Sequence, residues 1–285
     1  MRTATLAILC VLLAAAAIAG CARSEGQEKK IAAPAKVNNA VAPRDQAAER
    51  RGDGAAAEAL RRAASENKHL FVFFFSQDDE ATRLARKTIE QAVRGMGRSA
   101  EWIAVDIANA SEAEIVKKYN IRSAAMPIVI AFAPNGAITG GFRTADINEE
   151  KLKGAIASRG MQESMKALQE NKLVFICCQG KKTQFNKEAM AGVNDFRADT
   201  RYAAYTTVVK IDPADKAEQG FLSQLKMDPN AKDAATAILV PPNMVLGVTN
   251  GPTSKAAVLK MLASASSGGC GPKGCGPVGC GPTKK

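Results

Sequence analysis

Histidine is almost missing from this chain: among 285 residues there is one, His69. That excludes an H-E-x-x-H zinc site, which needs two on one helix face. No Ser/His/Asp arrangement and no phosphate-binding glycine loop is present either. His69 opens an apolar run, so a packed or half-exposed ring is expected. Aromatic residues are also scarce, at 5%. They do not interleave with the basic residues, and no nucleic-acid module is visible, so the net charge of +11 does not point to nucleic acid. The basic residues are spread over helices and linker as solvated faces, or attract anionic lipid or acidic partners. Long hydrophobic runs are lacking: Leu6 to Ile18 is too short to span a bilayer comfortably. Cys-x-x-Cys is absent, although the chain has seven cysteines.

The length suits about two domains, and 46% hydrophobic residues suit an ordinary aliphatic core. Met1 to Cys21 has a positive start at Arg2, the short apolar run, and then Ile18-Ala19-Gly20-Cys21. An ordinary secretory signal with an incidental cysteine is one reading. The last four residues resemble a lipobox, the bacterial lipoprotein signal cut before a cysteine that is then acylated. The resemblance implies a signal peptide at 1–20, lipidation of Cys21, and a periplasm-facing membrane anchor in the cell envelope. Ala22, where an aspartate favours inner-membrane retention, points to the outer membrane. Residues 21–54 are rich in Ala, Pro, Lys, Arg and Asn without apolar period, and are expected to be a disordered tether.

Residues 55–160 alternate helix and strand. Ala55–Asn67 is an alanine-rich helix, and Lys68–Phe75 a strand with four Phe, suited to burial on both faces. Ser76 is expected to cap the next helix, with Asp78, Asp79 and Glu80 in its first turn. A strand follows within Glu101–Ile107. Ser111–Tyr119 is a helix opened by a Ser-x-x-Glu capping box. Asn120–Phe142 contains Met126-Pro127, an apolar run, the turn Pro134-Asn135-Gly136 and a returning run, which makes a hairpin. Ile147–Arg159 closes the unit as a helix. A weaker copy occupies 161–265, with helices at Met161–Gln169, Thr183–Arg197, Pro213–Leu225 and Ser254–Ala263. Asn171-Lys-Leu-Val-Phe-Ile echoes Asn67-Lys-His-Leu-Phe-Val (171 − 67 = 104), Asp212 echoes Asp106 (212 − 106 = 106), and Pro242-Asn243 echoes Pro134-Asn135 (242 − 134 = 108). Such a steady offset indicates a duplicated unit.

The order αβαβαββα and the Met126-Pro127 hairpin resemble the thioredoxin fold, in which a cis-proline precedes the third strand. The resemblance implies an α/β protein of two tandem thioredoxin-like domains, each a central mixed sheet flanked by helices. It makes Pro127 the cis-proline and Met126 a candidate peptide contact. It places Asp79-Glu80-Ala81-Thr82 where the family carries Cys-x-x-Cys, and Phe73 where it carries a buried acid, so the first domain is expected to be redox-dead. In the second copy Lys181 to Gln184 falls at the motif, and Ala235 or Thr236 at the cis-proline.

Cys177-Cys178 ends the second copy's first strand, a few residues before that motif. One is expected to point into the core as a small hydrophobe and the other to the opposite face; a strained vicinal disulfide is the alternative. Both are redox candidates. Residues 266–285 form a low-complexity tail, expected to be disordered, with Cys-Gly-Pro at Cys270, Cys275 and Cys280. Its thiols suit a soft ion such as copper or zinc, or disulfides in an oxidising envelope. Three ligands leave a tetrahedral site incomplete, and either Cys177 or Cys178 could complete it. The expected function is therefore thiol or soft-metal handling by a membrane-anchored lipoprotein, within cell redox homeostasis and without a standard redox motif. The alternative is a non-catalytic envelope scaffold binding proteins or thiol-containing peptides. The missing motif leans against an enzyme.

Overall fold

Strong apolar periodicity shapes the structure, a computed structural model that describes residues 54–266. Two four-stranded mixed sheets follow one another, each flanked by helices on both faces. The first half contains α1 (Ala55–Ser65), β1 (His69–Phe75), α2 (Glu80–Met96), β2 (Ala100–Asp106), α3 (Ala113–Lys118), β3 (Ile128–Phe132), β4 (Ile138–Arg143) and α4 (Glu149–Gly154). The second contains α5 (Arg159–Gln169), β5 (Leu173–Cys178), α6 (Asn186–Arg197), the short α7 (Thr200–Ala203), β6 (Thr206–Ile211), α8 (Gln219–Gln224), β7 (Ala235–Val240), β8 (Met244–Asn250) and α9 (Lys255–Ser266).

The strand orders are β2-β1-β3-β4 and β6-β5-β7-β8. In each sheet the central strand pairs parallel to one neighbour and antiparallel to the other. Along the chain, the first half follows the αβαβαββα order that the thioredoxin resemblance implies, and the second adds only the short α7. Both sheets belong to one compact unit.

β1 reads as an unbroken apolar run because both its faces are covered. Leu70, Val72 and Phe74 meet α1 and α3 on one side. Phe71 and Phe73 meet α2 and α4 on the other. The three phenylalanines at 71, 73 and 74 are fully buried, at roughly 1.5–3 kcal/mol of transfer free energy each. α1 presents Ala56, Ala59 and Ala63 to the sheet, small residues that let the helix lie close. α2 buries Thr82, Ala85, Ile89, Ala92 and Val93 at helical spacing. It stops at Gly97, whose φ of 60° suits a residue without Cβ. The second sheet repeats the layering, with Val174, Ile176 and Cys178 facing α5 and α8, and Phe175 and Cys177 facing α6 and α9.

The two halves agree in fine detail. Asn67 and Asn171 turn with φ of 55° and 57° (171 − 67 = 104). Asn120 and Lys226 do so with 50° and 58° (226 − 120 = 106). Most telling are two buried glutamates (218 − 112 = 106). Glu112 Oε2 accepts from the Ala56 amide, 3.3 Å, at the start of α1. Glu218 accepts from the Gly160 amide at Oε1, 2.7 Å, and from the Ser158 hydroxyl at Oε2, 2.6 Å, at the start of α5. Each carboxylate satisfies a helix N-terminus from a distant turn, where negative charge also suits the helix dipole.

Several expected boundaries move. Asp79, not Ser76, caps α2, its carboxylate accepting from Thr82 N at 2.8 Å; a bend at Ser76 and Gln77 comes first. The Ser111 capping box does not form. Asn109 accepts from Ser111 N instead, so a 3₁₀ turn at Ala110–Glu112 precedes α3 and frees Glu112 to reach α1. The helix expected over 147–159 is only Glu149–Gly154. Asn148 caps its start, and Ser158 already caps the next helix, accepting from Met161 N. α6 starts at Asn186 instead of Thr183, and α8 at Gln219 after a 3₁₀ turn at Lys216–Glu218. In the second hairpin Leu239 pairs with Val245 as Phe132 pairs with Ile138. Pro241-Pro242 therefore takes the place of Pro134-Asn135, one residue from the expected echo.

The halves are joined through α5. The Gln169 carboxamide binds Ile138 on the outer edge of β4, accepting from its N–H at 3.0 Å and donating to its C=O at 2.7 Å. Asn135 Nδ2 donates to Gln162 C=O at 2.8 Å. His69 is buried, and its Nε2 accepts from the Ala157 amide at 3.1 Å just before α5.

Candidate functional site

Antiparallel pairing brings the loop after the first strand to the same sheet end as the residue before the third. Phe74 pairs with Ile128, so residues 76–79 and Met126-Pro127 emerge together. The Met126-Pro127 peptide is cis, as the resemblance implies. Pro127 is buried and Met126 half-buried, its side chain packing on the α1 face of the sheet. Asp79 holds the cap position of α2, where the resemblance expects the first motif cysteine, and Phe73 is sealed in the opposite core. Hydrogen bonds from Thr82 hold the Asp79 carboxyl below its ordinary range. A capping acceptor is what this carboxylate does; it carries no thiol chemistry. Arg86 stacks its guanidinium 5.2 Å from the Phe75 ring centre and reaches Asp78 at 3.7 Å.

In the second sheet Cys178 pairs with Ala235, which puts Ala234, not Ala235 or Thr236, at the position of Pro127. A second cis peptide lies at Pro241-Pro242, in the hairpin and unforeseen from sequence. The motif position also shifts. Six residues, 179–184, separate Cys178 from the cap Phe185, against four between its counterpart Phe74 and Asp79. The helix start thus falls at Phe185–Glu188, four residues beyond the expected Lys181–Gln184. The extra length folds back on itself: Thr183 Oγ1 accepts from Gly180 N at 2.8 Å and donates to Asn186 Oδ1 at 2.6 Å.

Cys177 and Cys178 are free thiols on opposite faces of β5. Both are buried, because α6 and α9 cover one face and α5 and α8 the other; the expectation put only one of them in a core. Burial pushes Cys177 up to about 12, although Lys210 and Thr236 oppose it. Burial pushes Cys178 to about 11, with Asp212 adding to the rise. At pH 7 about one thiol in ten thousand or fewer is then ionised, and the thiolate is the nucleophile and the metal ligand. Among the described residues no group of three His, Cys, Asp or Glu side chains could hold a metal ion. Cys21, Cys270, Cys275 and Cys280 lie outside the described residues.

An open groove of about 640 Å³ runs beside the edge strand β6, lined among others by Arg159, Glu163, Arg197, Lys210 and Asp215. Its charges are mixed, and Arg159 already pairs with Glu163 at 2.9 Å. No helix among the described residues is long and apolar enough to cross a membrane.

No family model matches the chain, and no curated protein matches it. Solved structures do align with about a third of it. Fasciola hepatica thioredoxin is 24% identical over 35% of this chain and 90% of its own, with a TM-score of 0.29. Oxidised mitochondrial thioredoxin 3 of Saccharomyces cerevisiae is 16% identical over 35% and 86%, with a TM-score of 0.28. Oxidised thioredoxin from Plasmodium falciparum is 20% identical over 35% and 88%, also at 0.28.

Proposed function

We propose that this chain is a non-catalytic, thioredoxin-like binding protein of the bacterial cell envelope, anchored through an acylated Cys21. The observation that carries this reading is the fate of the thiols. The α2 start has a capping aspartate, the α6 start a phenylalanine, and the two cysteines nearby are buried with raised pKa values. The first half would contact extended protein segments near Met126 and Pro127, and the sheets would serve as a scaffold. The test is a disulfide-reduction assay on the full reduced chain, paired with alkylation at neutral pH. No turnover is expected, and Cys177 and Cys178 should react only after unfolding. Turnover, or rapid alkylation of either residue in the folded chain, would overturn the reading.

A second reading keeps soft-metal or thiol chemistry but assigns it to the tail. What favours it is the recurrence of Cys-Gly-Pro at Cys270, Cys275 and Cys280. A copper or zinc site there would take its fourth ligand from a partner or a second tail, since neither β5 thiol is accessible. Metal content of protein purified without chelator tests it, with no bound metal as the refuting result.

A further inference from the structure

The loops that enter α2 and α6 occupy equivalent places but present opposite surfaces. The first is acidic, with Asp78, Asp79 and Glu80, and ends in a capping carboxylate. The second presents exposed Lys181 and Lys182 and ends in Phe185. Phe185 sits in the left-handed region, φ 58° and ψ 23°, which bulky side chains rarely adopt. The residue is 43% exposed. Gln184 N donates to Lys232 C=O at 2.8 Å, and Ala234 N to Gln184 C=O at 2.9 Å, which sets Lys232 beside the loop. Lys187 is exposed in the first turn of α6. None of these four lysines has an ion pair among the described residues. The acids nearby are exposed Glu188, Asp212 and Asp228, and half-buried Asp233.

We propose that this loop docks on an anionic membrane surface. Four unpaired lysines around one outward aromatic ring match, in charge and in polarity, a layer of lipid phosphates over acyl chains. Phe185 enters the headgroup region while Lys181, Lys182, Lys187 and Lys232 meet phosphates. Each lysine contributes about a fivefold gain in partitioning near an anionic surface. One ring and four lysines do not make a permanent anchor, so the loop orients a chain held at the membrane by other means. In that respect the inference rests on the envelope location proposed above, but not on the acyl chain itself.

The experiment is lysine acylation footprinting of the full chain by mass spectrometry. It compares zwitterionic phosphatidylcholine vesicles with vesicles containing phosphatidylglycerol, at low and at physiological salt. Labelling of Lys181, Lys182, Lys187 and Lys232 should slow at least threefold on the anionic vesicles only. Lys117 and Lys118 of α3 should be unchanged, and the double variant K182E/F185S should lose the protection. Equal labelling on both vesicles would overturn the proposal, as would uniform slowing at every exposed lysine. Protection by polyglutamate without protection by anionic vesicles would overturn it too, and assign the loop to an acidic protein. An unacylated Cys21 would appear separately, in the intact mass, and would leave the lysine pattern readable.

Discussion

Replacing Glu218 by alanine should be among the more costly changes this fold can suffer outside its apolar core. The side chain is 5% exposed and gives both carboxylate oxygens to the start of α5, at 2.7 Å from the Gly160 amide and 2.6 Å from the Ser158 hydroxyl. Hydrogen bonds to charged groups contribute about 1.5–3 kcal/mol each, and a buried amide left without an acceptor carries its desolvation cost. Allowing for partial relaxation, Glu218→Ala should lose about 3–4 kcal/mol. Its counterpart gives an internal control. Glu112 makes a single, longer bond to Ala56, 3.3 Å, so Glu112→Ala should lose only about 1–2 kcal/mol. Glu218→Gln keeps an acceptor for Gly160 and should recover about half the loss. The assay is equilibrium urea unfolding of the full chain under reducing conditions, followed by circular dichroism. The reasoning fails if Glu112→Ala costs as much as Glu218→Ala, or if Glu218→Ala costs less than about 1 kcal/mol.

Other expectations follow from single contacts. A Cβ on Gly192 would lie 2.1 Å from the Thr253 carbonyl oxygen, so Gly192→Ala should destabilise by about 1–3 kcal/mol of overpacking; an unchanged melting temperature would contradict this contact. Removing the Gln169 carboxamide should speed hydrogen exchange at Ile138 about tenfold, measurable by mass spectrometry, while amides in β1 stay protected. Burial holds His69 below its ordinary value, outweighing the opposing hydrogen bond at Ser99. The unfolded chain therefore binds the proton more readily, so this contribution is complete above about pH 6.5 and is lost as pH falls below it. Unfolding midpoints of wild type and His69→Gln, compared from pH 8 to 5, should converge as pH falls; parallel curves would refute the burial account. Cys21→Ser should abolish acylation and release the chain from membranes, and recovery of the wild type unacylated would contradict the lipobox.

The succession of helices and strands along the chain was legible from residue pattern because apolar runs such as Leu70–Phe74 and Val174–Ile176 admit few other placements. The correspondence between the halves was legible too, although the expected echo at Pro242-Asn243 slipped by one residue. The helix starts were harder to read. Ser76, Ser111 and Thr183 all have capping chemistry, but Asp79 and Asn109 won two of those contests, and Thr183 closed a loop instead. Sequence gives no rank among competing caps when the length of the preceding turn is unknown. The same uncertainty misplaced the motif position in the second half, because two added residues between Cys178 and Phe185 leave no periodic trace. Burial of both β5 cysteines was missed for a related reason. Strand alternation separates their faces, but only α6 and α9 packing over the Cys177 side removes it from solvent. Nothing in a linear reading pointed to Glu112 and Glu218 as distant caps; their matching offset was the signal available.

The Gln169 carboxamide occupies the outer edge of β4 as the backbone of a fifth strand would. An unoccupied edge is a template on which other chains add and aggregate. At Ile138 the second half therefore covers the edge of the first. A fragment ending before α5 would present Ile138 bare, and should form intermolecular sheet at concentrations where the intact chain stays dispersed. The last edge, β8, has no such successor among the described residues and leaves Met244 and Val245 exposed. The C-terminal hairpin is thus where substitutions aimed at colloidal stability would be placed.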